Sequence, residues 1–160
     1  MNALETWRVA SVIAVIVGVI AYAVLSGVWV STDAGWYQSL TKPSWQPPPW
    51  VFGVIWPYNF VALAAVGSLI AWRAPRASVI VLLVFFAVSI VCALAWAYLF
   101  YVPHSLTGAA IALSAAALTT APIVVIGFQT SWLFGALLMP YQIWVMLAAS
   151  LSWGYLSLNS

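Results

Sequence analysis

Charge is what this sequence has least of. Four basic and two acidic residues make up 4% of its 160 positions, against 66% hydrophobic ones. A water-soluble domain keeps about 25% charged residues to wet its surface, so this surface must face lipid. Four basic residues are also too sparse for a nucleic-acid face or a polybasic lipid patch. The single cysteine, Cys92, lies in an apolar run, so no intrachain disulfide can form and no redox compartment can be read. The single histidine, His104, falls in a loop without the partners a metal site needs. Glu5 and Asp33 bracket the first apolar run, ~40 Å apart along a helix, too far to act as an acid–base pair. No glycine-rich phosphate loop is present, and apart from Arg8 at the very start of the first run no acid, lysine or arginine lies within an apolar run to serve an ion-coupled pump. Conventional acid–base, nucleophilic or metal catalysis is not encoded.

What is there instead is five apolar runs, at 7–30, 50–72, 77–101, 105–128 and 132–156. Each is long enough for a membrane crossing of ~20 residues. Backbone polar groups in hydrocarbon must be satisfied within the segment, which makes the runs helices, and the alternation of a membrane β-barrel is absent. The expected fold is therefore all-α: one integral membrane domain over 1–160, a bundle of five transmembrane helices. Ser31-Thr32-Asp33, Arg73-Ala74-Pro75-Arg76, Pro103-His104-Ser105 and Gln129-Thr130-Ser131 punctuate it with helix starts and stops. Ala21-Tyr22-Ala23 has the small-x-small pattern of a signal-peptide cleavage site. Glu5 and Arg8 ahead of it, and an apolar stretch longer than a normal signal core, favour a retained helix. Arg8, Arg73 and Arg76 fall on one side and only Lys42 on the other, which predicts a cytoplasmic N-terminus.

The one substantial connection is 31–49. Asp33 is placed to cap a short helix through Leu40, which Pro43 stops. Trp45-Gln46-Pro47-Pro48-Pro49-Trp50 reads as a stiff polyproline II segment. The loop is either a lid or an interfacial anchor.

Eleven tryptophans are the other excess. Most fall at span ends, where indole rings favour the membrane–water boundary. Trp56, Trp96 and Trp144 do not: they lie ~9, ~8 and ~18 Å below the ends of their runs, in the bilayer half beneath the 31–49 loop. Each belongs to a stripe at helical spacing: Phe52, Trp56 and Phe60; Ser89, Ala93, Trp96, Ala97 and Phe100; Trp144, Ala148, Ser152 and Tyr155. Large rings beside small residues either pack helices together or wall a cavity. The few polar residues within spans, Asn59, Gln142, Ser89, Ser114 and Thr119-Thr120, are expected as interhelical glue. Pro57, Pro122 and Pro140 are expected to bend their helices and open space between them. Two rows of small residues at four-residue spacing, Ser89, Ala93 and Ala97 in span three and Gly108, Ala112 and Ala116 in span four, suit close helix packing within or between chains.

One pattern is more specific. Trp36-Tyr37-x-x-Leu40-x-Lys42-Pro43-x-Trp45-x-Pro47-Pro48, then Phe52 and Trp56, together with Pro140-Tyr141-x-x-Trp144, resembles the signature of the TspO/MBR family. These are the tryptophan-rich sensory proteins and translocator proteins, also called peripheral benzodiazepine receptors. The resemblance extends over nearly the whole chain. It implies a five-helix bundle, generally homodimeric, with a pocket below the first loop. That pocket takes porphyrins such as protoporphyrin IX, synthetic isoquinoline and benzodiazepine ligands and, in eukaryotic members, sterols. No cofactor is implied, since the porphyrin is the ligand. The pocket positions it implies are Trp36, Tyr37, Pro47, Trp56, Phe60, Trp144 and Ala148, to which the depth of Trp96 adds that residue. If bound porphyrin is degraded in light, as in some members, Trp56 and Trp144 are the residues implicated. The family's dimerisation through its third helix implies a self-association face at Ser89 and Ala97. Two departures stand out. Ala93 precedes Trp96 where family members often carry an asparagine, and no basic residue follows Tyr155 to complete a proposed cholesterol motif.

Overall fold

The computed structural model of the chain describes residues 2–30 and 34–160, so Asp33 and its expected cap lie outside the described residues. Six helices follow in order: α1 (Ala3–Val30), α2 (Ala34–Ser39), α3 (Pro49–Arg73), α4 (Arg76–Tyr101), α5 (Leu106–Thr130) and α6 (Trp132–Asn159). All but the short α2 are long and apolar enough to cross a membrane. Among the described residues there is no strand. The protein is an integral, multi-pass membrane protein built as an up-and-down bundle. In it α4 packs chiefly on α5, α5 on α6, and α1 on α3 and α4.

Helix ends follow local chemistry. α1 begins at Ala3 rather than Trp7 because Asn2 and Glu5 form a reciprocal capping box. Glu5 N–H donates to Asn2 Oδ1 at 2.8 Å and Asn2 N–H to Glu5 Oε2 at 3.0 Å. Proline opens two other helices: Pro49 takes the first turn of α3, where a missing N–H costs nothing, and Pro75 precedes α4. Ser105 caps α5 by accepting Gly108 N–H at 3.3 Å. His104 makes the preceding turn with a φ of 56°, a left-handed position that histidine tolerates better than most residues. The expected polyproline stretch is shorter than Trp45–Trp50. Gln46 N–H donates to Pro43 O at 3.1 Å, so Ser44 and Trp45 turn, and only residues 46–48 run extended into α3.

The bundle has two unlike ends. One carries Arg8, Arg73 and Arg76 and is called the arginine end; the other carries α2 and the segment up to Pro48 and is called the loop end. Toward the arginine end, side chains interlock. Val15, Leu63, Val66, Ile70, Leu82 and Leu138 are 3% exposed or less. A Cβ on Gly67 would stand 2.9 Å from Val15 Cγ1, so the α1–α3 contact there requires glycine's size. The void among these residues is about 10 Å³, too small for anything but a water molecule.

Two expectations need correction. Ser89 and Ala97 are 0% exposed within a single chain, and Ser89 Oγ donates to Phe86 O of its own helix at 2.9 Å. Their row closes the protomer against its own helices, and a self-association face cannot be built on it in this conformation. Among the polar residues expected as glue, Gln142 and Thr120 do join α5 to α6: Thr120 Oγ1 donates to Gln142 Oε1 at 2.6 Å, and Gln142 Nε2 to Ala117 O at 2.9 Å. Asn59 does not, being fully buried with no hydrogen-bond partner at either side-chain atom.

Candidate functional site

Near the loop end the helices part around a cavity of about 280 Å³. Its walls are the stripes named from the sequence. Phe52, Trp56 and Phe60 of α3 form one side, Ala93, Trp96 and Phe100 of α4 another, and Trp144, Ala148, Ser152 and Tyr155 of α6 a third. Successive positions of each stripe stand three or four residues apart, so one helix face delivers the whole set. The rings hold one another edge to face: Phe52 against Trp144 with centroids 5.0 Å apart, and Trp56 against Trp144 at 6.4 Å. Trp56 and Phe60 lie nearly parallel at 5.5 Å. This mutual bracing leaves broad ring surfaces around an open space, a surface suited to a flat, apolar ligand.

The fourth wall was not legible beforehand. Tyr22, Ala23, Ser26, Gly27 and Val30 of α1 also line the cavity. The buried residues of α1 are Ser11, Val15, Val19 and Tyr22, and Tyr22 is the first residue of that stretch. Beyond Tyr22 the helix fronts the cavity without burying a residue, which is why the cavity is there. The pairs Tyr22/Ser26 and Ala23/Gly27, small or polar at four-residue spacing, were the available signal.

The roof is a hydrogen-bonded ring of three side chains. Tyr155 donates to Gln46 Oε1, Gln46 Nε2 donates to the Tyr37 hydroxyl at 3.3 Å, and the Tyr37 and Tyr155 hydroxyls stand 3.1 Å apart. The roof segment is fastened to α6 at further points. Asn159 clamps Thr41, accepting its N–H at 2.8 Å and donating to its carbonyl at 3.0 Å. Trp45 Nε1 donates to Ser150 Oγ at 3.3 Å. A Cβ on Gly154 would stand 2.7 Å from Pro43 Cγ and 2.8 Å from Trp45 Cζ2, so the loop lies directly on this glycine. The segment is thus a strapped cover over the cavity.

Of the residues singled out from the sequence, Tyr37, Trp56, Phe60, Trp96, Trp144 and Ala148 come together at the cavity. Trp36 and Pro47 do not line it. The Trp36 ring stacks on His104, with centroids 3.9 Å apart, and meets Phe100 edge to face at 5.2 Å, so it backs the wall from outside. Pro47 lies in the extended strap between Gln46 and α3. Ala93 is on the wall, where the missing amide leaves the surface apolar.

The wall's polarity is specific. Trp96 Nε1 and Ser152 Oγ are buried without a hydrogen-bond partner. Unmet polar groups of this kind cost about 1–3 kcal/mol each, which a ligand acceptor could recover. Among the described residues no charged side chain lines the cavity. The nearest cation is Lys42, whose Nζ stands 5.5 Å from the centre of the Tyr37 ring at the roof.

Membrane-spanning helices around an aromatic-walled, roofed cavity define a membrane protein of the ligand-binding kind. The model of the TspO/MBR family matches residues 11–158, and the chain belongs to that family. It is 33% identical to Protein CrtK of Rhodobacter capsulatus over 81% of this chain and 82% of that protein. It is 31% identical to the translocator protein of Sus scrofa, over 74% and 71% of the two chains. With the tryptophan-rich protein TspO of Bacillus cereus it shares 29% identity over 84% and 88%.

Proposed function

We propose that the cavity binds porphyrin-type tetrapyrroles such as protoporphyrin IX, and related flat hydrophobic ligands of the isoquinoline kind, as a sensor, buffer or carrier. The observation that carries this reading is the set of aromatic faces from α3, α4 and α6 around one space under a strapped cover. Small-molecule pockets usually span roughly 300–1,000 Å³, so a cavity of about 280 Å³ falls just below that range. A macrocycle would enter with one edge between the rings and the rest toward the α1 side, where packing is loosest. Its carboxylates, with no cation in the wall to meet them, belong at the roof beside Lys42. We further propose that the N-terminus faces the cytoplasm, since the arginine end collects three of the four basic residues.

A second reading is light-dependent degradation of the bound porphyrin, favoured by the direct contact of Trp56 and Trp144 on the wall. One experiment tests both. Purified protein is titrated with protoporphyrin IX in the dark, then illuminated and its pigment analysed. Saturable dark binding without turnover supports the binding protein. A new open-chain product that disappears in Trp56→Phe and Trp144→Phe supports degradation. Absence of saturable binding rejects both.

A further inference from the structure

The arginine end has an arrangement that residue counts conceal. Three of the chain's four basic residues meet there, each laid against an aromatic ring from another helix. Arg76 of α4 lies over Trp7 of α1, its Cζ 4.6 Å from the ring centre. Arg8 of α1 lies over Trp72 of α3 at 5.8 Å, and Arg73 of α3 over Phe134 of α6 at 5.5 Å. Trp7 adjoins Arg8 in α1 and Trp72 adjoins Arg73 in α3, so the three cation–ring pairs link four helices at one end of the bundle.

Among the described residues none of the three has a carboxylate partner. The chain's acids are Glu5 and Asp33. Glu5 is engaged in the α1 cap, and Asp33 follows the opposite end of α1. A guanidinium stacked on a ring commits its flat face and keeps its edge N–H groups, the fork that fits phosphate oxygens. Tryptophan rings beneath two of the guanidiniums, those of Arg8 and Arg76, fix them at headgroup depth. Arg73 and Arg76 are exposed and Arg8 is half-buried. From Arg76 a row of exposed aliphatic side chains, Ile80, Val84 and Val88, runs along α4 at four-residue spacing. A charged head above an apolar track has the shape of a phospholipid.

We propose that the arginine end is a binding site for an anionic phospholipid, with Arg8, Arg73 and Arg76 around its headgroup phosphate and an acyl chain along the α4 row. Bound there, the lipid ties together the ends of α1, α3, α4 and α6. The count that argued against a polybasic lipid patch misses this, because three charges gathered by folding act as one site.

The test is thermal unfolding in an uncharged detergent, followed by circular dichroism, while short-chain phosphatidylglycerol or phosphatidylcholine is added. Phosphatidylglycerol should raise the melting temperature to a plateau, and phosphatidylcholine should not. Arg76→Gln should weaken the apparent affinity about fivefold and the Arg73→Gln, Arg76→Gln pair roughly 25-fold. Lys42→Gln, at the loop end, should leave it unchanged. Native mass spectrometry of the same variants counts retained lipid directly, so a variant of altered stability remains interpretable. The proposal is overturned if phosphatidylcholine matches phosphatidylglycerol, if inorganic phosphate alone reproduces the shift, or if Lys42→Gln weakens binding as much as Arg76→Gln.

Discussion

The two halves of this bundle are built from the same helices and are both strongly hydrophobic, yet one is solid and the other hollow. Toward the arginine end, aliphatic side chains mesh, and Gly67 lets α1 and α3 touch, leaving a void of about 10 Å³. Toward the loop end, rings replace aliphatics and brace one another edge to face. Because braced rings cannot collapse inward, about 280 Å³ stays open. Hydrophobicity alone thus does not decide whether a membrane bundle fills its centre. Side-chain shape does: flexible aliphatics fill space, while large flat rings locked by neighbours preserve it.

Four substitutions and one control break or sharpen that contrast. The largest effect belongs to the solid half. Leu138→Ala should cost about 2–5 kcal/mol of stability, the range for deleting a buried leucine, while leaving dark porphyrin affinity of the folded fraction unchanged. Thermal unfolding and titration on the same sample check both parts. In the hollow half, Trp144→Ala should weaken porphyrin binding at least several-fold, since ring stacking is worth about 1–3 kcal/mol. Trp132→Ala, 74% exposed at the other end, should not change it. Equal affinities in fluorescence titration would remove Trp144 from the site.

Gly154→Leu acts on the cover rather than the walls. With Pro43 and Trp45 already against the glycine, a leucine must push the strap off α6. Hydrogen exchange at residues 41–46 should speed up at least several-fold and ligand dissociation should quicken, with α-helix content unchanged. The smallest effect is expected from Ala93→Asn, which restores an amide to the wall. Affinity for an isoquinoline-type ligand should rise a few-fold by competition binding, and a fall would mean that volume, not polarity, limits this wall.

Much of this architecture can be read from residues alone, and the exceptions have physical causes. Run length and the absence of charge define five spans, because lipid tolerates nothing else. The stripes of α3, α4 and α6 are visible because aromatic and small residues alternate at helical spacing. The α1 wall is much fainter, since only Tyr22/Ser26 and Ala23/Gly27 interrupt a nearly all-aliphatic stretch and the face is chosen by partners distant in sequence. Trp36 shows the converse. Its place in the family pattern suggests a wall residue, yet it stacks on His104 behind the wall, a position set by the turn after α4. The inward facing of Ser89 and Ala97 was equally hidden, because a row of small residues says that something approaches closely and not what.

The clamp between Asn159 and Thr41 joins residues 118 positions apart. During synthesis the strap leaves the ribosome long before α6 exists to receive it. The roof is therefore among the last features to form, and until then the aromatic walls stand uncovered. Contacts of such long range form late in folding as well, because so much chain must be ordered first. A ligand present in the membrane during biogenesis would meet an open site and be enclosed as the final helix docks. Occupancy would then record conditions at the time of assembly as well as those of the moment.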